Sequence, residues 1–335
     1  MNWSYGMVKA LITGGTGFIG SHIARQLVAE GHTVRILHRP NSKLTALDGI
    51  SFESAIGGLR EDDMPTLIKA SEGCDWVFHV AAVADYWRAD KAEMFEVNVA
   101  GTRRVLAAAR TAGVKRVVFT SSAAAVGINP DGRPADENTR FNLPPEEFPY
   151  GYSKVLAERA VSDAVWRGQE VVTVNPVVVI GPGDLNMISG SFITQIKKLG
   201  ILVPITSGGI AVSDVRDVAR WHILAAGHGR VGERYLVGTA NYPYSLWYAM
   251  IAEAVGVLRP RFYMPDFLVP IAAWVIDWLR KRGIETPVDA VQTRMGVRKA
   301  YFDCRKAWGE LGNPQIDMRR SLHDTYTWYS QHGYL

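Results

Sequence analysis

The glycine-rich segment at residues 13–20 constrains the fold of this chain more than any other feature. Its sequence is Thr-Gly-Gly-Thr-Gly-Phe-Ile-Gly, and it lies between a short apolar run at residues 8–13 and a helical pattern. Glycines at the G-x-G-x-x-G spacing permit a tight turn, close approach of a pyrophosphate to the backbone, and close helix packing. We therefore predict a dinucleotide site at the helix N-terminus, formed by Gly14, Gly15, Thr16, Gly17, Phe18, Ile19 and Gly20.

Short apolar segments alternate with helical segments through the first half of the chain. Strands are predicted at residues 8–13, 33–37, 76–80, 116–120 and 170–175, where β-branched residues are frequent. Helices are predicted at residues 21–30, 93–112 and 153–166, each followed closely by a glycine that favours a helix end. This alternation predicts an α/β fold with a parallel, doubly wound sheet of the Rossmann type.

The pattern changes after residue 175. Glycine, proline and aromatic residues cluster there, and predicted helices outnumber predicted strands. We predict a dinucleotide-binding domain at residues 1–175, to which residues 210–238 return, and a smaller, mostly helical C-terminal substrate lobe at residues 176–209 and 239–335. Because a shared fold specifies a reaction class rather than a substrate, the second lobe is expected to select the substrate.

Composition argues against several classes of protein. The 335 residues carry 37 Lys and Arg against 33 Asp and Glu without a long run of one charge, so no nucleic-acid partner is expected. The two cysteines lie far apart and no histidine spacing resembles a ligand set, so neither a disulfide framework nor a metal site is expected. The most apolar stretch, residues 267–276, is shorter than the ~20 residues of a membrane span, and no leader pattern is present. A cytoplasmic protein without a membrane span is expected.

The second predicted strand ends in basic residues. Many dinucleotide-binding folds have an acidic residue there, which accepts hydrogen bonds from the adenosine ribose of NAD. Here the strand runs into His38 and Arg39, and Lys43 follows. A guanidinium can hold a 2′-phosphate with two hydrogen bonds, whereas a carboxylate would repel it. The sequence therefore favours NADP(H), with NAD(H) possible, and the alternative is that both cations are solvated loop charges.

A tyrosine and a lysine lie at the start of the helix that follows the strand at residues 116–120. Tyr150 and Lys154 are four residues apart and therefore share one helical face. An ammonium beside a phenol favours the phenolate, so we expect a pKa for Tyr150 below its usual value of about 10, which suits a general acid or base. Ser122 follows the strand at the carboxyl edge of the sheet, where ligands bind, and its hydroxyl can hold a carbonyl oxygen.

Together these residues resemble the motifs of the extended short-chain dehydrogenases/reductases. The glycine loop, Asn98, Ser122, Tyr150 and Lys154 match them in order, and the resemblance covers nearly the whole chain. It implies that Tyr150 exchanges a proton with the substrate oxygen, that Ser122 hydrogen-bonds that oxygen, and that Lys154 binds the cofactor ribose. It also implies that Asn98 supports a proton-relay water; an ordinary helix hydrogen bond is the alternative, and Ser121 is the alternative to Ser122. Further residues expected at the cofactor, besides Tyr150 and Lys154, are Leu59, Ala81, Ala82, Thr120, Pro176 and Val178.

Two departures narrow this resemblance. Gly58 stands where relatives commonly have an aspartate that contacts the adenine, so backbone groups would have to replace that contact. Nucleotide-sugar epimerases and dehydratases typically carry an Arg-Asp pair just before the late strand, and the matching stretch at residues 210–217 does not have the pair in that place. The remaining pattern is similar to dihydroflavonol reductase-like carbonyl reductases and to hopanoid-associated sugar epimerases.

We expect an NADP(H)-dependent oxidoreductase that reduces a ketone or aldehyde to an alcohol. The alternatives are a sugar epimerase or dehydratase that retains its cofactor, and a dinucleotide-sensing protein without catalysis.

Apolar and aromatic residues near these motifs are candidates for a substrate pocket that suits a hydrophobic carbonyl or alcohol, with ordinary core packing as the alternative. These candidates are Tyr86, Trp87, Ser122, Met187, Ile188 and Phe192. Residues 267–279, with two tryptophans at helical spacing, are predicted to pack on their own lobe, and a membrane contact is the alternative. The family resemblance implies a homodimer through residues 101–112 and 153–166, with a monomer as the alternative.

Overall fold

The structure is a computed structural model that describes residues 6–84, 90–187, 190–284, 286 and 290–335. Its strands are β1 (Lys9–Thr13), β2 (Thr33–His38), β3 (Glu53–Ile56), β4 (Trp76–His79), β5 (Arg116–Thr120), β6 (Val171–Pro176), β7 (Val178–Ile180), β8 (Gly209–Asp214), β9 (Arg234–Val237), β10 (Ala240–Pro243) and β11 (Lys299–Ala300). Its α-helices are α1 (Phe18–Ala29), α2 (Met64–Ser71), α3 (Lys91–Phe95), α4 (Gly101–Thr111), α5 (Pro149–Trp166), α6 (Ser191–Leu199), α7 (Val215–His228), α8 (Tyr244–Val255), α9 (Val269–Lys281), α10 (Ala290–Met295), α11 (Arg305–Leu311) and α12 (Met318–Gln331).

A parallel sheet of seven strands forms the larger part of the molecule. Its order is β3-β2-β1-β4-β5-β6-β9. Helices α1 and α7 cover one face, where Ile12 is buried, and α2, α4 and α5 cover the other, where Leu11 is buried. Because both faces are covered, the strands are almost continuously apolar, as the sequence pattern indicated. The strand order reverses between β1 and β4, and ligands bind at such a point in open α/β sheets. The predicted fold class is confirmed.

A smaller sheet belongs to the second lobe. Its central strand β8 pairs with β10 in antiparallel orientation and with β7 and β11 in parallel orientation. Helices α6, α8 and α12 pack around a core that includes Ile193, Trp247 and Leu322. Because β8 belongs to this sheet, the segment that returns to the larger sheet begins with α7 at Val215, later than the predicted residue 210, and ends with β9.

Three local elements differ from the sequence prediction. A π-helical turn, Glu96–Ala100, divides the helix predicted at residues 93–112 into α3 and α4. Helix α5 begins at Pro149, a residue favoured in the first helical turn, so Tyr150 lies in that turn. Edge strand β3 was not predicted, because its sequence Glu-Ser-Ala-Ile has few of the residues that favour strands. In the part of the chain that the structure describes, no helix is long and apolar enough to cross a bilayer.

Candidate active site

Glycine is required at two positions of the loop between β1 and α1. Gly14 has a φ of +74°, and a Cβ there would lie 2.6 Å from the backbone nitrogen of Ala81. A Cβ at Gly20 would collide with the carbonyl oxygen of Gly14, so helix and loop meet backbone to backbone. The first turn of α1 leaves N–H groups without helical partners beside this loop, and the helix dipole favours a negative charge there. This cradle fits the pyrophosphate of a dinucleotide.

One cavity of about 2120 Å³ runs from the glycine loop into the second lobe. A site for one small molecule typically has roughly 300–1,000 Å³, so the cavity has room for a dinucleotide and a second molecule. The predicted cofactor residues in its wall are Gly14, Thr16, Gly17, Phe18, Ile19, Gly20, His38, Arg39, Leu59, Ala81, Ala82, Thr120, Tyr150, Lys154, Pro176 and Val178. Gly15 is not among the lining residues that the structure describes; a Cβ there would lie 2.6 Å from Cδ1 of Ile36, so Gly15 is needed for packing on β2.

Basic residues follow β2 at the adenosine end of the cavity. Nε2 of His38 lies 2.7 Å from the hydroxyl of Ser54, and Nδ1 lies 3.0 Å from the carbonyl oxygen of Arg39. Arg39 is exposed on the cavity wall, as the NADP(H) prediction requires. Lys43, in contrast, is exposed and does not belong to the described lining of the cavity, because the chain turns away after Ser42.

The carboxylate of Asp63 lies beside Gly58, where the family aspartate is missing. A Cβ at Gly58 would lie 2.5 Å from Oδ2 of Asp63, and the same oxygen accepts a hydrogen bond from the backbone nitrogen of Arg60 at 3.0 Å. All three residues line the cavity. A side-chain carboxylate is therefore present at this position in addition to the backbone groups. The available signal was the acidic run at residues 61–63.

Ser122, Tyr150 and Lys154 meet where β5 ends and α5 begins. The hydroxyl of Ser122 lies close enough to the phenol of Tyr150 to act on it as a hydrogen-bond donor and to lower its pKa. Lys154 is buried; its Nζ donates to the carbonyl oxygen of Thr120 at 2.9 Å and lies 5.1 Å from the centre of the Phe119 ring. All three functional side chains belong to residues of the cavity wall. The tertiary structure thus brings together the three residues that the sequence spacing selected.

The pKa of Tyr150 differs from the sequence expectation. Burial raises this pKa above its ordinary value of 10.0, and the hydrogen bond from Ser122 opposes the shift only in part. Burial also lowers the pKa of Lys154 from 10.5 to about 8, against the charge of Glu158. Desolvation favours the neutral form of both groups. The expected lowering of the Tyr150 pKa is therefore wrong for the protein alone, and Tyr150 carries its proton at neutral pH.

Ser121 and Ser122 have different surroundings. Ser121 is buried, and its hydroxyl donates to Oε1 of Glu158, whereas the hydroxyl of Ser122 accepts from the Ala124 backbone nitrogen and lowers the pKa of Tyr150. The same Oε1 accepts a hydrogen bond from Nδ2 of Asn175 at 2.7 Å. Nδ2 of Asn175 also lies 3.0 Å from the carbonyl oxygen of Ser122. The environment therefore favours Ser122 as the residue that faces a ligand.

Glu158 accepts hydrogen bonds from several polar side chains near Lys154, and it was not predicted from the sequence. Its second oxygen, Oε2, accepts a hydrogen bond from Nη1 of Arg234 at 2.9 Å. Its charge is the one that counteracts the lowered pKa of Lys154. The available signal was the spacing: Glu158 is four residues after Lys154, so the two share a face of α5.

Asn98 fastens the segment after β4 to α5. Its Oδ1 accepts a hydrogen bond from the backbone nitrogen of Val83 at 2.8 Å, and its Nδ2 donates to the Val83 carbonyl at 3.1 Å and to Oγ of Ser153 at 3.0 Å. Its own carbonyl accepts from Oγ1 of Thr102 at 2.7 Å. These bonds use both amide hydrogens, so Asn98 holds the loop in place, and its part in a proton relay stays a prediction.

Two buried histidines support the strand ends beneath the site. His79 lies between Thr13 and Thr102, with ring nitrogens 2.7 and 3.0 Å from their hydroxyls, and burial lowers its pKa to about 3. His222 lies 2.9 Å from Oγ1 of Thr120, and burial lowers its pKa to about 4. Both rings are therefore neutral near pH 7; His79 links β4 to β1 and α4, and His222 links α7 to β5.

The second lobe closes the other end of the cavity with aromatic residues. Met187 and Phe192 line it as predicted, and Tyr244 and Tyr248 of α8 line it as well. The Phe192 and Tyr248 rings are 6.4 Å apart, and those of Tyr244 and Tyr248 are 5.3 Å apart. The sequence analysis missed both tyrosines, although their i, i+4 spacing places them on one face. The predicted pocket residues Tyr86, Trp87 and Ile188 lie outside the described residues.

Arg216, at the start of α7, is engaged by two carboxylates. Its Nη2 lies 2.8 Å from Asp214 and its Nη1 lies 2.8 Å from Asp324. The side chain of Asp214 also caps α7. Among the residues that the structure describes, Arg216 does not line the cavity. Arg216 lies after β8, so it does not stand where nucleotide-sugar enzymes carry the arginine for the diphosphate.

The cysteines are not nucleophiles of this site. Cys74 and Cys304 are free and buried, and burial raises the pKa of each thiol. A raised pKa keeps a thiol protonated and unreactive. No cluster of His, Cys, Asp and Glu within the described ranges is arranged to hold a metal ion.

Comparison with known proteins gives the family. The model of the NAD dependent epimerase/dehydratase family matches residues 10–238. The chain is 35% identical to a putative dihydroflavonol 4-reductase of Synechocystis sp., over 97% of this chain and 95% of that protein. It is 34% identical to sterol demethylase protein B of Methylococcus capsulatus, over 97% and 99%. The crystal structure of gox2253 matches with a TM-score of 0.84 and 33% identity, over 97% of this chain and 99% of that one.

The family match spans the glycine loop, both strands that flank the switch point, and the whole Ser122, Tyr150 and Lys154 arrangement. The two relatives extend the similarity over the second lobe. The chain therefore belongs to the NAD dependent epimerase/dehydratase family, the extended short-chain dehydrogenases/reductases, and is an NAD(P)-dependent oxidoreductase.

Proposed function

We propose that the protein is an NADP(H)-dependent reductase that converts a ketone or an aldehyde into an alcohol. The observation that carries this proposal is that Ser122 and Tyr150 lie together on the wall of the cavity that begins at the glycine loop, with the Ser122 hydroxyl acting on the Tyr150 phenol. Two hydroxyl donors side by side suit a carbonyl oxygen, on which negative charge develops during reduction. Lys154 adds a cation one turn along the same helix.

The residues have distinct roles in this reaction. When bound, NADPH supplies the hydride that is added to the carbonyl carbon. Tyr150 transfers its hydroxyl proton to the carbonyl oxygen, so the C=O bond becomes C–OH and a phenolate remains. Ser122 donates a hydrogen bond to the same oxygen while charge develops there. The Lys154 ammonium stabilises the phenolate until a proton from solvent replaces the one transferred. In the reverse reaction, the phenolate is the base.

Arg39 and Asp63 are the residues that we assign to the adenosine half of the cofactor. A hydrogen bond between charged groups contributes about 1.5–3 kcal/mol. This range corresponds to a roughly ten- to hundredfold preference, here for a 2′-phosphate on Arg39. Asp63 lies beside the side-chain position that Gly58 lacks, and its carboxylate can accept hydrogen bonds from an adenine amino group. Lys43 is assigned a smaller contribution.

The aromatic wall favours an apolar substrate with rings. Phe192, Tyr244 and Tyr248 provide flat apolar surface, and half-buried aromatic side chains are typical of sites for such ligands. The names of the two relatives refer to a dihydroflavonol and to a sterol, both of which contain several rings. The absence of an Arg-Asp pair just before β8, where nucleotide-sugar enzymes carry it, argues against a nucleotide sugar. Epimerisation or dehydration with a retained cofactor is the second candidate, favoured by the family match.

The test is the oxidation of NADPH and NADH, measured in parallel by absorbance, with aliphatic, aromatic and polycyclic aldehydes and ketones. We expect turnover of polycyclic carbonyls and a preference for NADPH. Arg39→Ala should raise the KM for NADPH about ten- to hundredfold and leave that for NADH nearly unchanged. Lys43→Ala is the matched control, with a much smaller effect. Absence of net oxidation, together with stoichiometric cofactor released on unfolding, would support the second candidate instead.

Assembly and compartment are also proposals. The homodimer is expected to form through α4 and α5, and sedimentation of the purified protein tests it. Two free buried thiols suit a reducing compartment such as the cytoplasm.

A further inference from the structure

Helix α9 is apolar on its outer side as well as on its inner side. Val269 and Ala273 are buried against the lobe. On the outer side, the exposed fractions are 73% for Phe267, 56% for Ile271, 64% for Trp274, 39% for Val275 and 42% for Trp278. We call these five residues the outer apolar face. The four within α9 are spaced so that they share one stripe of the helix, and Phe267 precedes them in the turn Asp266–Leu268. A helix that is apolar all round is normally buried, whereas α9 is not.

The outer apolar face is large for an exposed surface. Helix α9 packs on α10 and on the turn Asp266–Leu268, and the five side chains remain open to solvent. Because a whole aromatic side chain has about 150–250 Å² of surface, the three aromatic residues alone expose roughly 300–400 Å². The largest apolar patch of a typical soluble domain has about 300–600 Å², and such patches are often functional.

Basic residues precede and follow this face in the sequence. The exposed basic residues are Arg259 and Arg261 before it, and Arg280, Lys281 and Arg282 at its end. Residues 258–284 contain five basic and two acidic residues. One acidic residue, Asp277, is paired with Lys281 at 2.8 Å, and the guanidinium of Arg282 lies 3.5 Å from the centre of the Trp278 ring. Tryptophans with basic neighbours are typical of protein surfaces that lie at the headgroups of anionic lipids.

The same segment contributes to the wall of the active-site cavity. Arg280, Gly283 and Ile284, at and just after the end of α9, line the cavity on the side of the second lobe. Ile284 is itself exposed, so this part of the wall reaches the outside of the molecule. The helix that carries the outer apolar face therefore ends at the part of the cavity wall that reaches solvent.

We infer that the outer apolar face docks the protein on an anionic lipid bilayer, with α9 lying in the plane of the interface. The aromatic side chains enter the boundary between headgroups and acyl chains, and the basic side chains contact the anionic headgroups. The substrate is then a lipid-soluble carbonyl or alcohol that reaches the cavity from the bilayer. This second part rests on the proposed reductase function, whereas the docking does not.

A second copy of the chain is a less suitable partner for this face. A stable protein interface buries about 800 Å² on each partner, which exceeds what the outer apolar face exposes. Two copies would also bring their basic ends together, whereas anionic headgroups neutralise them. Charge and area therefore both favour the lipid surface.

The docking is tested by flotation of the full chain with vesicles of phosphatidylcholine alone or mixed with phosphatidylglycerol. We expect binding to the mixed vesicles, weakened by salt. The double variant Ile271→Ser/Trp274→Ser should lower the vesicle-bound to free ratio at least about tenfold, since two large apolar side chains no longer insert. Met7→Ser is the control, because Met7 is 87% exposed before β1, outside the proposed dimer face, and should not affect binding.

Two results would overturn the docking. One is equal flotation of the wild type and the double variant, which includes the case that neither binds anionic vesicles. The other is a concentration-dependent dimer, seen by sedimentation, that the double variant loses, since the face would then belong to a second copy. Arg259→Gln/Arg261→Gln gives an independent check: it should reduce the preference for phosphatidylglycerol while the fold, followed by circular dichroism, is unchanged.

Activity separates the docking from the proposed function. Turnover of a water-soluble carbonyl should be the same in the wild type and in Ile271→Ser/Trp274→Ser. Turnover of a polycyclic ketone dissolved in mixed vesicles should fall in the double variant, in proportion to its lost binding. If both ketones turn over equally well in the two proteins, entry from the bilayer is wrong. If no carbonyl is reduced while flotation behaves as expected, the reductase proposal fails and the docking stands.

Discussion

The two ends of the active-site cavity are built from different kinds of contact. At the end formed by the seven-stranded sheet, polar side chains are buried and hydrogen-bonded to defined partners, as Lys154 is to the carbonyl of Thr120 and His79 to two threonines. At the end formed by the second lobe, the wall consists of half-buried rings such as Phe192 and Tyr248, which contact each other through their faces and edges.

This difference separates the chemistry from the choice of substrate. A buried polar group without a partner costs free energy, so few alternative arrangements exist at the sheet end. Contacts between rings are not directional to the same degree, and apolar walls tolerate substitution. Changes at the sheet end should therefore alter kcat, pH dependence and stability, whereas changes at the lobe end should alter the KM of the substrate.

Removal of the Tyr150 hydroxyl should have the largest effect. Tyr150→Phe should lower kcat for carbonyl reduction by about 10²–10⁴-fold, the usual contribution of a general acid. Tyr152→Phe is the matched control. Tyr152 lies in the same turn of α5 as Tyr150, but its ring packs on Phe95 and Phe141, so this variant should retain activity. NADPH binding, measured by fluorescence, should be similar in both variants. Near-normal turnover by Tyr150→Phe would contradict the assignment of the acid.

The buried histidines should make the sheet end sensitive to acid. In the folded protein His79 and His222 have pKa values of about 3 and about 4, against 6.5 for a free histidine. Between pH 6.5 and the lower pKa of each buried ring, the unfolded chain binds more protons than the native one. The free energy of unfolding should therefore decrease as the pH falls below 6.5, by up to about 1.4 kcal/mol per pH unit for each histidine. Urea unfolding at pH 7, 6 and 5 measures this decrease in the free energy of unfolding.

His79→Gln should reduce that slope, because the amide has no titrating proton and can still bond both threonines. His323→Gln is the control, since His323 is exposed and should leave the slope unchanged. An unchanged slope in His79→Gln would show that the ring is protonated in the native state.

At the lobe end, removal of one ring should change substrate affinity alone. Phe192→Ala should raise the KM for an apolar carbonyl about tenfold, because the variant loses the contact between this ring and the substrate. Full burial of one aromatic side chain contributes roughly 1.5–3 kcal/mol. The kcat and the affinity for NADPH should change little. Leu199→Ala, on the exposed side of the same helix α6, is the control. A large loss of kcat in Phe192→Ala would contradict the separation between the two ends.

The smallest effect is expected at Glu158, which acts on Lys154 through its charge. Glu158→Gln should lower the pKa of Lys154 further below about 8, so activity should decline at a lower pH than in the wild type. A shift of half a pKa unit changes the charged fraction near the midpoint at most about threefold. Glu170→Gln, at an exposed ion pair with Arg116, is the control. A uniform loss of activity without a shift of the pH profile would assign Glu158 a structural role only.

Sequence patterns identified the parts of the site that depend on short spacing. The glycine loop, the Tyr150 to Lys154 spacing and the position of Ser122 after a buried strand each involve a few consecutive residues, and the structure brings them into one cavity. The analysis missed Asp63, Glu158 and Tyr248. Their positions depend on where a turn, a helix face and the second lobe are placed by packing, and spacing alone does not predict that placement.

The sequence by itself determined the class of fold and the chemical groups of the reaction. Those properties follow from backbone conformation and apolar periodicity, which act between neighbours in the chain. Only the tertiary structure decided that burial raises the pKa of Tyr150, that Arg216 is engaged by Asp214 and Asp324, and that α9 leaves an apolar face uncovered. Burial and charge pairing depend on residues that folding brings together from distant parts of the chain, and so they cannot be deduced from local spacing.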